Sequence, residues 1–152
     1  MTDLPLHPLV VHFSVVAILV TSLALIVAVV LPRFRLWLGW GLPLMGVLSA
    51  IVAFVTAQAG EDLSHEKAQS SDVLNGHMGW GSRLETLTFG LAVMAILFHL
   101  GTPKRDSDKP RLAFLSPQWA QITIKVLAIV VAIAAIVLTY LAGDSGAQSV
   151  WG

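Results

Sequence analysis

Long runs of apolar residues dominate the pattern of the chain. Four of them reach or approach the about 20 residues that a helix needs to cross roughly 30 Å of hydrocarbon. They cover residues 9–31, 36–59, 84–100 and 122–142. The first two have no polar face, which a surface helix of a soluble protein would need. The pattern therefore predicts an all-α integral membrane protein, a four-helix antiparallel bundle in one domain.

Prolines and polar segments separate the predicted spans. Pro8 suits a first helical turn, and Pro32 closes the first span. Pro43 falls inside the second span, where a kink is tolerated if neighbouring groups satisfy the freed carbonyl. Residues 60–83 are polar and predict an outer loop. The charged, proline-containing residues 101–121 predict a flexible cytoplasmic connector.

Small residues recur at helical spacing in the second and fourth spans. The set comprises Gly46, Ala50, Ala53, Ala57, Ala128, Ala132 and Ala135. In lipid, apolar side chains have no hydrophobic reason to associate, and small residues let helices approach closely. These positions therefore predict helix–helix contacts.

Composition agrees with a membrane location and limits the chemistry. Hydrophobic residues make up 56% of the chain and charged residues 12%, about half the share of a typical soluble domain. The absence of cysteine excludes disulfides, thiolate metal sites, iron–sulfur clusters and covalently attached c-type haem. A net charge of zero gives no indication of nucleic acid. The expected partner is the lipid bilayer; a membrane protein partner or a homo-oligomer stays open.

Lysine and arginine counts predict the orientation. One face receives six of them: Arg33, Arg35, Lys104, Arg105, Lys109 and Arg111. The other face receives only Lys67 and Arg83, together with both termini. Because cytoplasmic loops carry the excess of basic residues, both termini are predicted to lie outside.

Histidines and carboxylates concentrate on this predicted outer face. The set comprises His7, His12, His65, His77, Glu61, Asp62, Glu66, Asp72 and Asp144. His12 lies about one turn inside the first span, and ionisable residues within a membrane usually face the bundle interior or a cavity. Two interpretations stay open for it: a neutral interfacial histidine bonded to a neighbour, and a ligand or proton relay.

Spacing limits how these residues can act together. His7 and His12 are five residues apart, about 140° around a helix, so they cannot easily grip one ion from the same face. Glu61 and His65 share a face if the second helix continues past Gly60, and such a pair could hold zinc or copper. A solvated helix end is the simpler interpretation of the pair.

The third span begins near another histidine. His77 is expected to open its helix after an Asn75 cap, and Gly81, Glu85 and Thr88 follow on one stripe. Glu85 needs a partner within the membrane, with Arg83 or an outer histidine as candidates.

The remaining histidine, His99, is alone on the inner side. It lies about 33 Å along a helix from His77. A haem stack across the membrane is therefore not favoured, and at most one site near the outer face is expected.

Four segments together resemble a known family. The N-terminal HPLVVHF at residues 7–13 resembles the HPLxVHFP signature of the bacterial domain-of-unknown-function family numbered 2231. AGEDL at residues 59–63 resembles that family's SGExL, and His77 with Gly81 resembles its HxxxG. GDSGAQSVW at residues 143–151 resembles the GHSGAxxVW ending of one branch. The resemblance implies a small four-helix protein of the bacterial inner membrane, and the family's function is not established.

Two positions depart from the family pattern. Ser14 stands where many members have proline, and Asp144 stands where the GHSGA form has histidine. If that histidine is a metal ligand in the family, Asp144 suits a hard or borderline ion better than a haem.

Two functions are predicted as alternatives. The first is a module that holds one metal ion or b-type haem at the outer face through His12 and His77. In the metal case His7, His65, Glu61 and Asp144 are further candidate ligands. The second is a non-catalytic accessory or assembly subunit of a larger membrane complex.

Transport and catalysis are less favoured. A transport or proton path through four short spans would require an oligomer. Ser145 does not fit the GxSxG pattern of a hydrolase nucleophile, so the sequence leans against an enzyme without excluding one.

Overall fold

The described part of the chain is helical apart from short connections, and it contains no strand. A computed structural model describes residues 6–66, 72–104 and 108–151, with side chains for residues 10–58, 79–104 and 108–144. The helices are α1 (Leu6–Val30), α2 (Pro32–Leu38), α3 (Gly41–Glu66), α4 (Asp72–Gly101) and α5 (Gln118–Trp151), with a 3₁₀ turn at Ala113–Leu115. The predicted all-α class is confirmed.

The four long helices form an antiparallel bundle. Both α1 and α4 pack against α3 and α5, whereas α1 and α4 meet each other only slightly and therefore occupy diagonal corners. The start of α1, the end of α3, the start of α4 and the end of α5 lie at one end, which we call the terminal end. The opposite end, with α2 and residues 101–121, is the connector end.

Each long helix contains an apolar stretch that is long enough to cross a membrane. These stretches are Val10–Val30, Gly41–Gln58, Gly79–Gly101 and Gln118–Asp144. Exposed valine, leucine, isoleucine and phenylalanine side chains cover their outer surfaces. A continuous apolar surface of this kind is matched by lipid and not by water. The protein is therefore a multi-pass membrane protein whose helices contact the bilayer.

The junction between the first two spans differs from the prediction. Leu31 is extended, as expected of a residue before proline, and Pro32 ends α1 and opens the short helix α2. Gly39 then adopts a φ of +51°, which glycine tolerates best, and α3 begins only at Gly41. Pro43 lies in the first turn of α3, where its missing N–H leaves no helical hydrogen bond unmade. No kink is needed there.

The terminal end is helical over most of the predicted outer loop. α3 continues to Glu66 and α4 begins at Asp72, so only residues 67–71 separate them. The segment contains no proline, and an acidic residue in the first turn of α4 suits the helix dipole. Asn75 therefore lies inside α4 and is not its cap. α3 extends about 12 Å beyond its apolar stretch.

The connector packs against the helix ends over its described residues. Gln121 Nε2 donates hydrogen bonds to the carbonyl oxygens of Gly101 and Leu115, at 2.5 Å each. Arg35 Nη2 donates to the carbonyl oxygen of Pro103 at 2.8 Å. Polar side chains of α2 and α5 thus satisfy carbonyl groups of the connector and of the end of α4. The flexibility of the connector stays a prediction.

The predicted small-residue stripes lie in helix interfaces. Buried members are Gly46, Ala50, Ala53, Ala128, Ala132 and Ala135, whereas Ala57 is half-buried. An added Cβ at Gly46 would lie 3.0 Å from the Cα of Ala92 and 3.2 Å from the Cβ of Ala95. The close contact of α3 with α4 depends on this missing side chain.

Candidate functional site

The four family-like segments lie on helices that meet at the terminal end. HPLVVHF occupies the first turns of α1, and AGEDL lies where α3 leaves its apolar stretch. The HxxxG segment lies in the first turns of α4, and the GDSGA segment lies in the last turns of α5. The antiparallel topology thus brings together segments that are far apart in the sequence.

The register of α1 against α3 places two of these segments at the same height. Ser49 Oγ donates to the carbonyl oxygen of Ala17 at 3.1 Å, and Thr21 Oγ1 and Ser49 Oγ are 2.8 Å apart. The residue numbers of the two contacting residues add to 66 or 70. This sum stays nearly constant along two antiparallel helices, so residue 7 falls opposite residues 59–63. The helix positions of His7 and of the segment at 60–62 are therefore level.

Most of the predicted ligand side chains fall outside those that the structure describes. They are the side chains of His7, Glu61, His65 and His77, so the predictions for them lie outside the described residues. For these four residues the structure gives the position on the helix but not the side chain. The condition for Glu61 and His65 to share a face is met, because α3 continues through both positions.

His12 is the predicted site residue that the structure describes most fully. Its side chain is exposed and lines a groove of about 580 Å³ between α1 and α3. The other lining residues are apolar: Val10, Phe13, Val16, Ile51, Val52 and Val55. The imidazole therefore lies in an open, hydrophobic groove on the perimeter of the bundle.

Helix geometry explains this position. The buried face of α1 includes Ser14, Ile18 and Leu25. Two residues turn a helix by about 200°, so His12 points nearly opposite to Ser14. His12 thus points away from the bundle interior, into a groove on the perimeter, whereas the sequence had led us to expect the interior or a cavity.

The diagonal placement of α1 and α4 bears on the predicted pair of His12 and His77. α4 meets α1 only slightly, and the groove around His12 is lined by α1 and α3. Helix α3 is therefore better placed than α4 to supply a second ligand near His12.

Asp144 is exposed in the last part of α5 for which side chains are described. Among the described residues, no group of three or more histidine, aspartate or glutamate side chains is arranged to hold a metal ion. Any such site would have to draw on the side chains at the terminal end beyond those described.

Arg83, one of the candidate partners of Glu85, contacts an aromatic ring. The guanidinium of Arg83 lies 5.0 Å from the centre of the Trp80 ring. Residues two apart point to different sides of a helix, whereas residues three apart are neighbours.

On the predicted stripe, Thr88 is buried and its hydroxyl donates to the carbonyl oxygen of Leu84 at 2.7 Å.

The sequence analysis overlooked the hydroxyl contacts between α1 and α3. Besides the Thr21–Ser49 pair, Thr21 Oγ1 donates to the carbonyl oxygen of Met45 at 3.3 Å. Isolated serine and threonine residues within apolar runs were the available signal, since these residues commonly bridge helices in membranes.

The connector end carries a second group of polar and aromatic side chains, whose contacts with one another were not predicted from the sequence. The rings of Trp40 and His99 lie 4.6 Å apart between centroids. The guanidinium of Arg111 lies 5.5 Å from the Trp40 ring centre. His99 is thus packed against an aromatic ring at the connector end of the bundle.

Fold and composition define a small four-helix membrane protein with polar groups at both ends of the bundle. Residues 3–152 match the family described as predicted membrane protein (DUF2231). The match covers essentially the whole sequence, so the chain belongs to this family, as the four segments had indicated. Comparisons with curated proteins and with solved structures found no match.

Proposed function

We propose that the protein is a membrane-embedded binding module for one b-type haem, which His12 would hold at the terminal end. The observation that carries the proposal is the exposed imidazole in an otherwise apolar groove. Small-molecule sites commonly measure about 300–1,000 Å³ and combine an apolar lining with a few polar groups. The groove at His12 has this character.

The arrangement suits a haem better than a bare metal ion. A haem needs only one or two protein ligands and otherwise contacts apolar side chains. A protein-bound zinc ion needs three or four ligands, whereas the lining of this groove offers one histidine among apolar side chains. The more polar segments near residues 7 and 59–63 lie further toward the terminal end than this groove.

The orientation and location belong to the same proposal. Basic residues dominate the connector end, so the terminal end faces outward from the cytoplasm of a bacterial inner membrane. A haem bound there would lie near the outer surface.

The test is an absorption spectrum of the detergent-purified full chain, oxidised and dithionite-reduced, with elemental analysis of the same sample. The unchanged protein, expressed with haem supplementation, is expected to show Soret and α bands with iron. His12→Ala should lose most of the haem while its membrane expression is unchanged. His99→Ala, which removes a histidine at the opposite end, is the matched control and should retain it.

Further outcomes separate the alternatives. Loss of haem in His77→Ala as well would favour the His12–His77 pair, whereas retention there would favour a ligand set from α1 and α3. Zinc or copper without haem bands, lost on removal of His12, Glu61 or His65, would replace haem by a metal ion. A colourless, metal-free protein that co-purifies with a larger complex would overturn the proposal and favour the accessory-subunit alternative.

A further inference from the structure

The connector end contains a cavity that is distinct from the groove at His12. Its volume is about 610 Å³. It is enclosed by α2, the turn after α2, the end of α4 and the first part of the connector. The residues on which the argument rests are Arg35, Trp40, His99, Lys104, Lys109 and Arg111.

The charge of this cavity is strongly unbalanced. Among the residues that the structure describes, its lining contains two arginines, two lysines and one carboxylate, that of Asp108. His99 adds an imidazole between them. A cavity lined mainly by one sign of charge focuses its field and raises the local concentration of ions of opposite sign. The cavity is therefore suited to an anion.

The two arginines are held in place by contacts with aromatic rings. The Arg35 guanidinium lies 5.9 Å from the ring centre of Phe98, which is fully buried, and its Nη2 donates to the Pro103 carbonyl oxygen. The Arg111 guanidinium lies 5.5 Å from the Trp40 ring centre. These contacts hold both guanidinium groups beside the cavity, where their remaining N–H groups can donate to a ligand.

The depth of the cavity indicates where such an anion would come from. Trp37, Phe114 and Trp119 are all more than two-thirds exposed at the same end of the bundle. Aromatic side chains concentrate at the level of lipid headgroups, and basic pockets between membrane helices bind anionic headgroups. The cavity thus lies at the depth of lipid phosphates.

From these observations we propose that the cavity is a binding site for a phosphate group, held by Arg35, Arg111 and Lys104. Planar guanidinium groups match phosphate oxygens with paired hydrogen bonds, and a lysine adds a compact charge. The phosphate can belong to the headgroup of an anionic phospholipid or to a free phosphate compound. The site is independent of any cofactor at the terminal end.

The experiment is calorimetric titration of the full chain in a neutral, phosphate-free detergent at fixed ionic strength. The four probes are dihexanoyl-phosphatidylglycerol, dihexanoyl-phosphatidylcholine, glycerol 3-phosphate and inorganic phosphate. Saturable binding of phosphatidylglycerol alone would establish the lipid source. Binding of glycerol 3-phosphate or inorganic phosphate at comparable affinity would establish the free-phosphate source.

Variants of the lining residues test whether the probes bind in the cavity. Lys104→Gln with Arg111→Gln, two exposed side chains, should weaken binding about tenfold or more. Arg111→Lys keeps the charge but loses the planar fork, and it should lose part of the affinity. The double variant Arg33→Gln with Lys125→Gln removes two exposed charges of the same half that do not line the cavity.

Two results would overturn the proposal. One is that none of the charged probes binds. The other is that the cavity variants and the Arg33–Lys125 control weaken binding equally, since attraction to the general positive charge of this end would then account for it. Arg35→Gln is kept as a secondary variant, because Arg35 also anchors the connector through Pro103.

Discussion

Two serines within the membrane have contrasting surroundings although both are buried. Ser49 Oγ donates to the Ala17 carbonyl oxygen and lies 2.8 Å from Thr21 Oγ1. Ser22 Oγ is also buried, and within the described residues it has no hydrogen-bond partner. The chemistry of the two side chains is the same, so their contributions to stability depend on their neighbours.

Replacing each serine by alanine should therefore give different results. Ser49→Ala should lower the free energy of unfolding by about 0.6 kcal/mol, and by at most about 1.7 kcal/mol, the range found for hydrogen bonds between membrane helices. Ser22→Ala should leave stability unchanged or raise it slightly, because it removes an unsatisfied buried hydroxyl. Unfolding in mixed micelles with increasing dodecyl sulfate would measure both.

A double-mutant cycle with Thr21→Val would confirm that the Ser49 effect comes from the hydrogen bond. Equal losses for Ser49→Ala and Ser22→Ala would show that packing volume decides the result.

Contact between helices depends on where small residues lie. Gly46 and Gly90 are both glycines within membrane helices, but their surroundings differ. A Cβ on Gly46 would meet Ala92 and Ala95 of α4, whereas a Cβ on Gly90 would meet nothing within 4 Å. The close approach of α3 and α4 requires a glycine at the first position alone.

Gly46→Leu should separate α3 from α4 and destabilise the bundle by about 1–3 kcal/mol, the usual cost of overpacking. The matched control, Gly90→Leu, places its Cβ where nothing lies within 4 Å and should have little effect. Thermal unfolding in detergent, followed by size-exclusion chromatography, would compare them. If Gly46→Leu proved as stable as the control, the described α3–α4 contact would be incorrect.

The sequence was informative about some elements and not about others. Stripes of small residues identified the helix faces that contact one another, because helical spacing is local. The sequence placed the start of the second span at residue 36 and assigned residues 60–83 to a loop, whereas α3 begins at Gly41 and residues 60–66 and 72–83 are helical. Both differences concern where helices begin and end, and apolar length does not mark a helix that continues into water.

The sequence indicated only part of what makes up the two candidate sites. The sequence selected His12 from its unusual place inside a span, and the structure added the groove that this residue faces. It did not indicate the cavity at the connector end. Arg35 and Pro103, which are 68 residues apart, are joined there by a hydrogen bond. No local sequence pattern predicts such a contact.

At the scale of the whole molecule, the two ends of the bundle differ in chemistry. The orientation of the protein in the membrane therefore decides which side each end faces. Both family-like ends of the chain lie at the terminal end, and most basic residues lie at the other. Because the two leaflets of a membrane differ in lipid composition, the two candidate sites would contact different lipids. The cavity with Arg35 would face the cytoplasmic leaflet, which carries more anionic lipid.

The chain has no native cysteine, so single cysteines can report the orientation directly. Gly143→Cys lies at the terminal end, where an added Cβ meets open space, and Lys109→Cys lies in the connector. A membrane-impermeant maleimide should label the cysteine at 143 in intact spheroplasts, and the cysteine at 109 only after permeabilisation. The reverse pattern would show that the termini face the cytoplasm.

The sequence by itself determined four membrane helices, their antiparallel order and the family. These properties follow from the length of apolar runs and from the short segments between them, which are local features of the chain. The tertiary structure decided that α1 lies diagonal to α4, that His12 faces a groove beside α3, and that Arg35 shares a cavity with Lys104 and Arg111. Those arrangements depend on how each helix is rotated against its neighbours, which is fixed by packing between side chains distant in sequence.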